Sequence, residues 1–588
     1  MLRRLGLAFV GALPLLALPG PARAADPIMP LSEVRPGMRC TGLTVVRGTA
    51  ISRFDVEVID VVTGDPGQSG PRILVRVSGP AVDASGIAEG FSGSPILCRD
   101  GLGVERNAGA ISETVGEFGD KVGLATPIQE VLGERADPPA GVRSAPALLR
   151  RSRPLATPLT VAGLSRPVQR MLATAARRAR RRVLAAPAAA LASFPPQELG
   201  PGASVAAGFS SGDLVLGRVG TVTYRDGDRV WGFGHPLDGA GRRALLLQDA
   251  YVFTVINNPL GTEEAASFKV AAPGHTLGTV TNDAVASVVG RAGAAPPTIG
   301  LQVSGRDRDT GRSFFSRSEV VDERDADLGT GLPLVGTLAM GQAATSLLRS
   351  TPPRVTSSLC LRITVSQRPR RFGFCNDYFD GQAPFDDFGR AIELVEGYEF
   401  GPLQIAKVTA RLRFRRGVRE AFMLKGRAPP RVRPGQVARV RLLLQRRRDG
   451  RQRLSFKLRV PRWLAPGRRI LTLRGQRPRP LSEGIEEELA ALLGEEDADR
   501  PGSEEGASRL RSVRELAEAV ASIKTVNGVR GTFGRSGRGP VVLKTGSLLV
   551  RGKIQVPLRV VGRRRRGRSL RDGGSRRRSL PPIIVALT

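Results

Sequence analysis

At 588 residues the chain is too long for one hydrophobic core and divides by length into about three or four domains. Its net charge of +35, carried by arginine far more than lysine, brings nucleic acid into view as a partner; the scarcity of aromatic side chains, which would stack on bases, argues against it. Frequent glycine and proline and little helical periodicity predict many short strands joined by turns, a mainly β class.

Residues 1–24 begin MLRR, continue through LGLAFVGALPLLALPG and reach Ala22-Arg23-Ala24. A charged start, a short apolar centre and a small-x-small site predict a secretory signal peptide, hence a protein exported to a periplasm or beyond the cell. Pro14, Gly11 and Gly20 interrupt a run already short for a bilayer, and no later segment reads as a membrane span.

Residues 25–136 form a first β unit. FDVEVIDVV (54–62) and ILVRV (73–77) alternate apolar with polar, and the unit ends in the short helix TPIQEVL before the breaker ADPPAG. Residues 137–199 are a helical connector, VQRMLATAARRARRRVL, read as solvated rather than membrane-bound because its apolar face is weak. Residues 200–350 form a second β unit. In GRVGTVTYRDGDRVWGFGHPL a strand turns at Arg225-Asp226-Gly227-Asp228, and the returning strand delivers His235 onto a Gly-His-Pro corner.

Beyond a connector at 351–402, residues 403–480 alternate strictly in KVTARLRF, VRPGQVARVRLLLQ and LSFKLRVP, which predicts a small immunoglobulin-like β-sandwich. Residues 481–512 are an acidic linker containing the helix IEEELAALLG. Residues 513–562 are an α+β segment, and residues 563–588 are a basic tail, predicted disordered.

Export permits disulfides. The four cysteines fall into two sequence-local pairs, Cys40 with Cys98 and Cys360 with Cys375; buried free thiols are the alternative. Neither Cys-x-x-Cys nor zinc-spaced Cys/His occurs, so no metal site is expected, and without a phosphate loop, dinucleotide fingerprint or His-Glu-x-x-His no cofactor is expected either.

The chemistry concentrates in GFSGSPI, residues 90–96. A serine between small residues on a tight turn can expose its hydroxyl beside uncovered N–H groups: Ser92 is the candidate nucleophile, and the N–H groups of Gly90 and Ser92 are the candidate oxyanion donors. A structural glycine turn is the competing account. The chain holds two histidines, His235 and His275, and His235 is the first choice for a general base. Asp83, Asp228 and Asp249 are the candidates for an orienting acid, with no basis for choosing among them.

VRPGMRCTGLTVVRGTAISRFDVEVIDVV, EGFSGSPI, ATPIQEVL, and the pair GTVTYRDG with WGFGHPL together resemble the SpoIVB family of secreted serine peptidases, over residues 30 to 350. Phe91 stands where that family has methionine, and Gly220 to Thr223 with Gly234-His235 match its histidine region. The resemblance implies a chymotrypsin-like β-barrel module, Ser92 and His235 as catalytic pair, and limited proteolysis of a protein or peptide partner or of the chain itself. Two departures stand out. Ser92 precedes His235, the reverse of the family founder, and the register of the family's aspartate falls on Val77, so no acid carries over. The alternative is a catalytically inactive peptidase-like envelope protein that uses its basic surface to bind anionic polymers, lipids or an exported partner.

Overall fold

The computed structural model describes residues 26–63, 70–115, 121–187, 194–257, 267–325, 329–350, 352, 354–367, 371–494, 510–523, 527–533, 541–546 and 548–562. The expected signal peptide and basic tail lie outside them. The fold is mainly β, in two compact units: one of residues up to 417 together with 478–525, the other of residues 418–477 and 526 onward.

The first unit opens with six strands: β1 (Arg39–Arg47), β2 (Ala50–Thr63), β3 (Arg72–Ser78), β4 (Pro95–Arg99), β5 (Glu105–Val115) and β6 (Val122–Pro127). Each pairs antiparallel with two others in the ring β1-β2-β3-β6-β5-β4, and β4 returns to β1 to close a barrel. The alternation in β2 sets its register: Phe54, Val56 and Val58 point into the barrel while Asp55 and Glu57 face solvent. A disulfide joins Cys40 to Cys98 across the closing β1–β4 pair.

Six more strands follow: β7 (Ser204–Gly212), β8 (Val215–Asp226), β9 (Arg229–Gly232), β10 (Gly241–Ile256), β11 (Phe268–Ala284) and β12 (Ser287–Ala292). Their pairings run β7-β8-β9-β12-β11-β10 and back to β7, a second closed ring in the same strand order as the first. In each ring the connection from third to fourth strand carries one candidate residue: Ser92 lies between β3 and β4, His235 between β9 and β10.

The sheet of the second ring extends from β7 through β14 (Ser313–Val321), β13 (Thr298–Asp307), β17 (Ile405–Arg416) and β15 (Val355–Val365) to β16 (Arg371–Tyr378). A second disulfide, Cys360–Cys375, links β15 to β16. The two bridges point to an oxidising, extracellular environment.

Among the described residues five helices share the core of this unit: α1 (Arg166–Arg178), α2 (Gly331–Leu348), α3 (Ala383–Glu396), α4 (Leu481–Leu492) and α5 (Val513–Ser522). The stretch expected to be a solvated connector is therefore half buried. In α1, Val168, Met171, Leu172, Ala175 and Ala176 recur at helical spacing and pack into the core, where small alanines permit close approach to α4 and α2. The helix α2 is long and apolar enough to cross a membrane by length and composition, but most of its residues are buried inside this unit, as in the core helix of a globular protein.

The boundary at 403 also differs from expectation. The strand containing KVTARLRF is β17, and it pairs with β13 and β15 in the first unit because its apolar alternation, Val408, Ala410, Leu412 and Phe414, faces that core. The acidic linker region supplies α4, whose Ile485 and Leu489 are fully buried there. The second unit is built from a four-stranded and a five-stranded sheet enclosing one apolar core that includes Val440, Leu442, Leu471 and Val556.

Candidate functional site

The serine corner is shaped by two left-handed glycines, Gly90 at φ 86° and Gly93 at φ 90°, a region closed to most side chains. Strand β8 holds it from beneath. Thr221 N–H donates to Ser92 O at 2.8 Å, Thr221 Oγ1 donates to Gly90 O at 3.0 Å, and Thr223 Oγ1 donates to Gly93 O at 2.8 Å. The segment GTVT that precedes the histidine in sequence is thus hydrogen-bonded along the serine motif.

The histidine corner meets it from the other ring. A Cβ built on Gly93 would overlap Thr221 O and Phe233 N and lie 2.9 Å from Phe233 Cα, so only glycine admits this approach. Gly93 N–H donates to Ile111 O at 2.8 Å, and the same carbonyl lies 3.3 Å from a Cβ built on Gly234. Thr126 Oγ1 donates to Gly234 O at 2.8 Å. Phe233, fully buried, sits at φ 67°, where a bulky side chain carries about 1–3 kcal/mol of strain that the packing around it must hold.

Ser92 Oγ, Ser94 Oγ and His235 Nε2 are all buried and have no hydrogen-bond partner among the described residues. Native interiors leave few such atoms, and their concentration at one junction requires a reason. Ser92 and His235 are not hydrogen-bonded to each other, and Ser92 has no solvent exposure. Among the described residues, the N–H groups of Gly90 and Ser92 have no backbone acceptor, whereas those of Phe91, Gly93 and Ser94 are bonded to Ala88, Ile111 and Phe91 carbonyls.

His235 Nδ1 lies 2.7 Å from Pro236 O. A carbonyl only accepts, so Nδ1 carries the proton and Nε2 keeps its lone pair. Burial pushes the imidazole pKa below its ordinary value; the bond to Pro236 and the charge of Glu113 act the other way.

None of the candidate acids orients this ring by a hydrogen bond. Asp83 pairs with Lys121 at 2.7 Å and Asp228 with Arg291 at 3.1 Å, each about half exposed. Asp249 is fully buried but serves the other histidine: its carboxylate accepts from His275 N–H at 2.6 Å and lies 3.0 Å from His275 Nδ1. The carboxylate that shapes the His235 corner is Asp283, which sequence reasoning did not single out. Buried at the end of β11, it accepts from the backbone N–H groups of Leu237 (2.7 Å), Asp238 (3.0 Å), Gly239 (2.8 Å) and Ala240 (3.3 Å).

Two further buried ionisable groups flank the serine motif. Lys269 Nζ donates to Thr44 Oγ1 at 2.8 Å and Thr221 Oγ1 at 3.2 Å and lies 4.9 Å from the centre of the Phe91 ring; burial pulls its pKa down to about 7. Glu89, next to Gly90, pairs with Arg182, and burial raises its pKa to about 7 against the opposing pull of that arginine. The only sequence signal for Lys269 is a charged residue on the apolar side of SFKVAAPG, and for Asp283 a carboxylate at a strand end.

Among the described residues no group of three or more His, Cys, Asp or Glu is arranged to hold a metal ion. Comparison with known protein families, with curated proteins and with solved structures finds no match to this chain.

Proposed function

We propose that the protein is an exported serine peptidase of the SpoIVB type, acting in limited proteolysis of a protein or peptide partner or of itself. The two rings are then the halves of a chymotrypsin-like module, and the two-sheet unit an immunoglobulin-like support. One observation carries the reading. Two six-stranded rings of identical order present Ser92 and His235 from the same connection, and these corners meet with Ser92 Oγ and His235 Nε2 both buried and unpartnered. A reversed chain order does not matter to such a pair, since the two connections are equivalent in the two rings.

In this reading Ser92 Oγ attacks the peptide carbonyl while its proton passes to His235 Nε2, and the N–H groups of Gly90 and Ser92 stabilise the oxyanion. The imidazolium returns the proton to the departing amine as the C–N bond breaks, and water then releases the acyl group by the same route. Pro236 O holds the ring in the required tautomer, the task an aspartate performs in a triad.

Complete shielding of Ser92 and the absence, among the described residues, of a carboxylate bonded to His235 favour a second reading, an inactive peptidase-like envelope protein that binds anionic polymers, lipids or an exported partner.

The two are separated by exposing the purified mature protein to a fluorophosphonate probe and following its self-fragmentation beside Ser92→Ala and His235→Ala. Labelling and fragmentation that disappear in both variants support the peptidase. Labelling that persists in both, or is absent throughout, overturns it.

A further inference from the structure

A cleft of about 320 Å³ opens beside the histidine corner. His235 forms part of its wall together with Arg180, Arg181, Arg182 and Arg218, and the apolar remainder comes chiefly from residues 154–159. Among the described residues no aspartate or glutamate lines it. Helix α1 ends at Arg178, and Arg180, at φ 53°, turns the chain so that three consecutive arginines border one opening. Arg218, largely buried on β8, donates to Thr157 O at 2.8 Å, which ties the apolar wall to the strand that lies beneath the serine motif. Arg182 pairs with Glu89, so the cleft wall is also bonded directly to the residue preceding Gly90. A buried arginine held by a backbone carbonyl and exposed arginines at the rim, set against an apolar wall, suit a ligand with a short aliphatic stem and a carboxylate, because guanidinium binds carboxylate as a planar fork.

We propose that this cleft binds the carboxylate of a peptide and thereby selects acidic substrates for the neighbouring Ser92–His235 pair. The selection half rests on the peptidase reading; the binding half does not. Its volume admits about two or three side chains, so the recognised element is a short stretch of chain rather than an extended polymer surface. The carboxylate comes either from a Glu or Asp side chain or from a peptide C-terminus, and the test separates these sources.

Binding is measured by fluorescence anisotropy on the full mature Ser92→Ala protein, which cannot turn substrate over through that serine. Three labelled peptides are compared: one with internal glutamates and an amidated end, the same peptide with glutamine in their place, and a neutral peptide with a free C-terminal carboxylate. At least one carboxylate peptide is expected to bind about tenfold tighter than the glutamine peptide, and the tighter of the two identifies the source. Exposed Arg180 is then changed in Arg180→Gln and Arg180→Glu, beside Arg441→Gln, an exposed arginine of the second unit that alters net charge equally. A loss confined to the Arg180 variants, larger for glutamate, supports the cleft. Equal binding of the glutamine peptide, or equal losses in the Arg180→Gln and Arg441→Gln proteins, overturns it. Cleavage of the same peptides by the unsubstituted protein is read separately: preferential cleavage of the tighter-binding carboxylate peptide supports selection, and cleavage without acidic preference overturns selection while the anisotropy result alone decides the binding half.

Discussion

Gly93 lies against the backbone of Phe233 with no room for a methyl group between them, although the two residues belong to different rings of strands. That contact brings the serine and histidine corners together. The Gly93→Ala protein combines an unfavourable φ with overlap on fixed backbone atoms and should lose about 2–5 kcal/mol of stability, read from the urea midpoint. Gly239→Ala is the control: its φ is also positive but nothing stands within 4 Å, and a loss of only about 1–2 kcal/mol is expected. Equal losses in the two would remove the contact from the account.

Neutral His235 is the active form in the proposed chemistry, and its pKa lies below the ordinary histidine value. The rate of probe labelling should therefore be flat from pH 7 upward and fall only as acid protonates Nε2, with a midpoint under 6.5. A midpoint above that value contradicts the buried environment.

Lys269 and Glu89 give stability opposite pH slopes. Between about 7 and 10.5 the unfolded chain holds a lysine proton that the folded chain lacks, so stability rises with pH across that window. Between 4.5 and about 7 the folded chain holds a glutamate proton that the unfolded chain lacks, so stability falls as pH rises. Denaturation midpoints measured across pH should lose the alkaline rise in Lys269→Met and the acid-side fall in Glu89→Gln. A Lys269→Met profile that keeps its rise assigns the slope to another group.

Asp283 acts on His235 as a positioning residue, through the four N–H groups it accepts from residues 237–240. Asp283→Ala should slow probe labelling at least tenfold and cost about 2–3 kcal/mol, since hydrogen bonds to a charged group are the stronger kind. Asp283→Asn, which retains an acceptor oxygen, should recover much of the rate. Similar rates in the alanine and asparagine proteins would mean that the loop does not depend on this carboxylate.

The bridge between Cys40 and Cys98 closes the first ring over a sequence separation of 58 residues. By loop entropy the double variant Cys40→Ser/Cys98→Ser should lose about 4 kcal/mol, checked by thermal unfolding with and without reductant. A reductant-insensitive unsubstituted protein would show that the bridge contributes nothing.

Much of this architecture can be read from local pattern. FDVEVIDVV and ILVRV alternate because each strand has one face in a barrel, and GFSGSPI and GFGHP stand out because their glycines allow left-handed turns. What escapes is what depends on distant partners. KVTARLRF alternates in the same way whether it enters a sandwich of its own or pairs with β13 and β15. The apolar face of α1 looks weak because alanine is small, yet smallness is what lets it pack. Asp283 and Lys269 gain their roles only when β11 lies beside the histidine corner and the serine motif, a placement that no neighbouring residue announces.

Helices α4 and α5 belong to the core of the first unit, yet they are encoded after the first segment of the second unit has passed. A chain emerging from the ribosome cannot complete that core until residues near Ile523 have been made, although the strands of both rings end by Ala292. The sequence order itself thus postpones completion of this helical part of the core until the chain is nearly finished.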